Sequence, residues 1–162
     1  MSGRMIMGIE FDDYLRFIEQ ALDGMLAIAE ELGDDLINRR PDMAETNSPY
    51  GILNYSVGVT RYWFGAFLAG RPIVRDREAE FGSQGTVADL RQAVEDVKRQ
   101  VRADIQQVEA DQPLAYPKYL MPNHLQRGFQ HWKQGAGLMQ VYKELAQHHG
   151  HMELTRDILR SA

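Results

Sequence analysis

Seven apolar residues, Val87, Leu90, Val94, Val97, Val101, Ile105 and Val108, recur at intervals of three and four. That spacing sets them on one narrow stripe of an α-helix. Charged residues such as Arg91, Asp96 and Arg102 fill the positions between, so the helix must bury its stripe against other helices and turn its remaining faces to water. Thr86 suits the N-cap, and Asp89 in the first turn complements the helix dipole. The segment predicts a helix over 86–108.

Three further segments share this period. From Phe11 to Leu36, the residues Phe11, Leu15, Phe17, Ile18, Leu22, Met25, Leu26, Ala29 and Leu32 form an apolar face. After "NRRPDMAETNSPYG" (38–51), Ser48 is a natural N-cap with Pro49 at the first helical position. The helix that starts there carries Tyr50, Leu53, Val57, Phe64 and Phe67 on one side. Ile52, Tyr55, Val59 and Tyr62 lie on an adjacent side, and the pattern ends near Gly70. Most of that helix must be covered, and its aromatic excess beyond what one neighbour can cover predicts a homodimer. The last helix runs from about Gln134 to Leu159 on Leu138, Val141, Leu145, Met152 and Leu154, interrupted by Gly135, Gly137 and Gly150.

The linking segments have no period. "RPIVRDREAEFGSQG" (71–85) reads as a loop, and residues 111–135 read as a long connection packed on the body, with Trp132 as an anchor. No segment alternates like a strand between hairpin turns. The chain of 162 residues therefore predicts one all-α domain, a four-helix bundle with long loops between helices.

Composition narrows the function. Lysine and arginine number 18 against 23 aspartate and glutamate, a net charge of −5, and no basic stripe forms. Nucleic acid is not an expected partner. Apolar runs such as "YWFGAFLAG" (62–70) are too short for a bilayer, which needs about 20 residues, so no membrane contact is expected. The first 14 residues lack a signal-like apolar region, which predicts a cytoplasmic protein. There is no cysteine, so any thiol chemistry must use a thiol from outside.

The residues with most chemical potential lie in "YKELAQHHGHMEL" (142–154). On a helix, Glu144, His148 and His151 share a face, while His149 points elsewhere. Carboxylate and imidazole one turn apart can hold a divalent transition metal, provided that another helix supplies a third donor. The competing reading is a solvated polar helix end, where histidine suits the dipole. His124 and His131 read as loop residues and weaker ligand candidates.

The segments "NSPYGILNYSVGVTRYWFGAFLAGRPIVRDREAEF" (47–81) and "QGAGLMQVYKELAQHHGHMELTRDIL" (134–159) together resemble the DinB-like superfamily, closest to its actinobacterial DUF664 group. The resemblance covers most of the chain and implies a four-helix bundle of up-down-down-up topology. It also implies S-transfer or isomerisation with a low-molecular-weight thiol such as mycothiol, activated by a divalent metal, zinc or nickel. In that family a histidine on the second helix and donors one turn apart on the fourth hold the metal. Glu144 and His148 match the fourth-helix pair, but Tyr55 stands where the second-helix histidine belongs, and Gln140 stands where relatives often have histidine. Three functions follow as expectations. The first is an S-transferase with Glu144, His148 and Tyr55 or His151 on a metal. The second is a metal-free bundle binding a small molecule through Tyr55, Tyr62 and Trp63. The third is a dimerisation bundle.

Overall fold

A computed structural model describes residues 5, 6, 8–115 and 125–162. A minimal hairpin comes first: β1 (Met5–Ile6) pairs antiparallel with β2 (Ile9–Glu10). It escapes sequence reading because two-residue strands are too short to show alternation. Then come α1 (Phe11–Ile37), α2 (Pro49–Tyr62), a short α3 (Arg77–Gly82), α4 (Val87–Asp104) and α5 (Gln134–Ser161). The described chain is mainly helical, and α1, α2, α4 and α5 surround one core.

The helix starts follow local chemistry. Ser48 Oγ accepts from the Gly51 amide, and Pro49 takes the position whose missing N–H removes no hydrogen bond. Thr86 and Asp89 form a reciprocal capping box that opens α4. Past Tyr62 the backbone continues as a π-helical stretch, Trp63–Leu68, and Gly70 then adopts φ 72°. Segment 71–85 is more ordered than a plain loop, because the Asp76 carboxylate accepts from the Ala79 amide and caps α3. The glycines of α5 do not break it. Gly137 is packed by Leu114, Leu68 and Trp63, where a larger residue would be tight.

Both apolar sides of α2 are buried within one chain, from Tyr50 through Ile52, Leu53, Tyr55, Val57 and Val59 to Tyr62. The aromatic excess that motivated a homodimer is therefore covered intramolecularly, and that argument loses its basis. The α4 stripe is buried at Leu90, Val94, Val97, Val101 and Ile105, while Val87 at its start is half-buried. Two residues assigned to apolar faces are exposed instead. Phe17 is 52% exposed and meets Tyr142 edge-on, and Leu154 is 66% exposed.

Contacts between helices follow a definite order. From α1 to α5, Tyr14 Oη donates to the Leu138 carbonyl, Gly24 faces His149, and Glu31 pairs with Arg160. From α1 to α4 the order reverses: Glu19 pairs with Arg102, Asp23 with Lys98 and Glu30 with Arg91. No described helix is long and apolar enough to cross a membrane.

Truncating Leu90→Ala, 1% exposed on the α4 stripe, is expected to destabilise the fold by about 2–5 kcal/mol. Urea denaturation of both proteins measures it, and a loss under about 1 kcal/mol would mean the α4 stripe does not anchor the core.

Candidate functional site

Tyr55 of α2 meets Glu144 and His148 of α5 across the interior. Glu144 and His148 are one turn apart on α5, so their side chains lie on the same face. Their side chains are only 15% and 17% exposed.

Glu144 is the centre of the cluster. Tyr55 Oη donates to its Oε2 at 3.2 Å, and Gln140 Nε2 donates to its Oε1 at 2.9 Å. His148 Nε2 stands 3.6 Å from Oε2, an ion-pair distance rather than a hydrogen bond, and Lys143 Nζ stands 3.4 Å from Oε1. The adjacent His148 imidazole, reinforced by Lys143, holds the carboxyl down at about 2 against the pull of burial. Glu144 is thus a carboxylate across the physiological range. Burial, aided by the Glu144 charge, pushes the Tyr55 phenol up against the opposing pull of Arg77 and Arg75, so Tyr55 keeps its proton and acts as donor. His148 Nδ1 is buried and has no hydrogen-bond partner among the described residues.

Aromatic groups enclose the cluster. Tyr55 stacks on Phe81 of α3 with ring centres 4.1 Å apart, and His148 meets the Tyr55 ring edge at 4.7 Å. Arg75 lies 4.8 Å from the centre of the Tyr55 ring and holds Glu80 through both nitrogens of one edge. Beside the cluster, an open and mainly apolar groove of about 760 Å³ runs along α5, lined by Trp132, Ala136, Met139, Gln140 and Lys143 among others. Gln140 and Lys143 therefore touch both the groove and Glu144.

The other expected residues are placed differently. Tyr62 and Trp63 are 6% and 2% exposed and belong to the core, where Trp63 packs on Phe67, Phe129 and Trp132. Trp132 does anchor its segment on the body, as the sequence suggests. His151 lies on the same side as His148, with ring centres 6.1 Å apart, and burial followed by the His148 charge lowers its pKa. His149 turns towards α1 and lies over Gly24. His131 is exposed at the groove, and His124 lies outside the described residues.

Among the described residues no three His, Cys, Asp or Glu side chains form a metal-binding cluster. Glu144 and His148 supply two strong donors, and the Tyr55 phenol is a poor third while it keeps its proton. This donor set does not by itself fit a three-ligand metal centre.

A family model described as mycothiol-S-transferase matches residues 13–161. The chain belongs to that family. It is thereby a DinB-like protein, as the two quoted segments indicate. No curated protein and no solved structure matches the chain. The geometry adds residues to the Glu144–His148 pair. Gln140 is four residues before Glu144, a visible spacing signal, whereas Arg75 and Phe81 reach the cluster only through the fold.

The depressed Glu144 pKa has a definite thermodynamic sign. Stability from this carboxylate is fully present above its ordinary value of 4.5 and is lost as pH falls through about 2. The stability gap between the natural protein and Glu144→Gln is therefore expected to be widest above pH 4.5 and to close towards pH 2. Denaturation midpoints across that range test it, and a gap that stays constant with pH refutes the assignment.

Proposed function

We propose that this chain is a mycothiol-dependent S-transferase, joining the sulfur of an external low-molecular-weight thiol to a small electrophile through Glu144 and His148. The observation that carries this reading is a fixed carboxylate beside an imidazole whose Nδ1 has no hydrogen-bond partner among the described residues. The absence of cysteine accords with a thiol supplied from outside.

Glu144, held at about 2, is too weak a base to take a thiol proton near neutral pH. Its part is to orient the imidazole and offset the positive charge that develops there. His148 takes the proton of the thiol at Nδ1, so that the sulfur can bond to the electrophile as the leaving group departs with its electron pair. Tyr55 and Gln140 hold one Glu144 oxygen each and keep the carboxylate in place. The adjacent groove, with Trp132 and Met139 on its apolar wall, suits the bulk of a small amphipathic ligand.

A divalent ion, zinc or nickel, would find Glu144 and His148 as donors and would need Tyr55 or His151 as a third. No step here is routed through it, because the phenol already serves Glu144 as a hydrogen-bond donor. The same observation favours a second reading, a metal-free bundle that binds a small molecule without turnover. The reading also takes the up-down-down-up course of the DinB-like bundle. Contact order supports that course, with α1 and α5 rising together and α1 against α4 reversed.

His148→Ala and Glu144→Gln are each expected to lower kcat/KM for mycothiol transfer by about 10²–10⁴-fold. Steady-state assays against a model electrophile measure this, and a loss smaller than tenfold in both variants removes the pair from the chemistry. Tyr55→His restores an imidazole at the third position and is expected to bind zinc at least about tenfold more tightly than the natural protein in calorimetric titration. Equal, tight binding by both would mean that Tyr55 or His151 is already a competent ligand.

A further inference from the structure

The Tyr55–Glu144–His148 cluster is closed on one side by α3, and α3 is held unlike the other helices. None of its residues is fully buried. It rests on two glycines of α2: a Cβ on Gly51 would collide with the Phe81 carbonyl oxygen, and one on Gly58 with the Glu80 carboxylate. Asn54 Nδ2 ties its end by donating to the Glu80 carbonyl at 3.3 Å and to Ser83 Oγ at 2.8 Å. The Arg75–Glu80 ion pair completes the attachment. A segment fixed by polar ties and few buried apolar contacts opens at a lower free energy than the core around it.

Its one large apolar side chain fills a particular place. Phe81 covers the face of the Tyr55 ring at 4.1 Å and 13°, and its own ring centre is 6.1 Å from that of His148. Two guanidinium groups border the same space, Arg75 at 4.8 Å and Arg77 at 5.2 Å from the Tyr55 ring centre. Arg75 is occupied by Glu80, whereas Arg77 is exposed and has no carboxylate partner among the described residues. Arg77 lies over the Tyr55 and Phe81 rings, and an aromatic floor beside a guanidinium that holds no carboxylate is complementary to a planar group that bears one.

We propose that α3 is a displaceable cover, and that the space filled by Phe81 is a binding slot for a planar, carboxylate-bearing group. The identification of that group with the electrophile rests on the S-transferase reading, while the slot itself does not. When the Phe81 end of α3 swings out about its first turn, Phe81 leaves the Tyr55 face and the ligand takes its place, within reach of His148 and of Arg77 at the start of α3.

Carbethoxylation of His148 by diethyl pyrocarbonate in the full-length protein, read by peptide mass spectrometry with His149 as internal reference, tests the proposal. Gly51→Ala displaces the α3 backbone without removing any side chain of the cluster, and Phe81→Ala empties the slot. Both are expected to raise the His148:His149 rate ratio by about fivefold or more. In Phe81→Ala, benzoate should protect His148 while benzamide, of the same shape but neutral, should not, and adding Arg77→Gln should abolish the protection. An unchanged ratio in both variants overturns the cover, and equal protection by benzoate and benzamide overturns the anionic slot. Loss of helical circular dichroism in Phe81→Ala overturns it too, because α3 would then be part of the core. Neither thiol nor turnover enters this assay, so a protected His148 in a chain inactive towards mycothiol would refute the transferase reading and leave the slot standing.

Discussion

Side chains point inward from nearly the whole circumference of α2: Tyr50, Leu53 and Val57 on one side, Ile52, Tyr55, Val59 and Tyr62 on another. A helix that apolar cannot keep an open face to water, so α1, α4 and α5 must surround it and α3 must cover part of what is left. Its polar residues comply. Ser56 and Thr60 hydroxyls donate back to the carbonyls of Ile52 and Ser56, so neither is buried unsatisfied. On the α3 side, Gly51 lets the Phe81 backbone approach where a side chain would hold it off, and Gly58 leaves room for the Glu80 carboxylate.

Charge then selects among the ways such helices could pack. The α1–α4 pairs Glu19–Arg102, Asp23–Lys98 and Glu30–Arg91 lie on exposed faces and contribute little each, about 0–1 kcal/mol. Their effect is on register, because all three pairs form together only in this alignment and a slip of one turn would keep at most one of them. Arg71 and Asp104 differ. The Asp104 side chain is 4% exposed, and both guanidinium nitrogens bond it at 2.6 Å. That pair fastens the chain leaving the π-helical stretch to the end of α4.

The same enclosure shapes the cluster. In water a glutamate, a tyrosine, a glutamine and a histidine would each be solvated separately. Packed between α2, α3 and α5 they turn to one another and to Lys143, so Glu144 collects partners on both oxygens and stays ionised. The carboxylate satisfies Tyr55 and Gln140, while His148 Nδ1 has no hydrogen-bond partner among the described residues. Burial of an imidazole nitrogen without a hydrogen bond is unfavourable, and that cost is the strongest physical reason to propose chemistry there.

The sequence by itself determined the long helices and where they begin. Ser48–Pro49 and Thr86 with Asp89 act within a single turn, and the α4 stripe needs only its own period to demand a partner. It also determined that Glu144 and His148 share a face, since that follows from four residues of helix. Local rules could not supply α3, the hairpin at Met5–Glu10 or the exposure of Phe17 and Leu154, because short elements lack a period and a periodic position can still face water. Nor could they show that Tyr55 would bond Glu144, that Trp63 would join the core or that Phe81 would cover Tyr55. Those outcomes depend on which residues of different helices stand at the same level, and only the packing of all the helices together decides that.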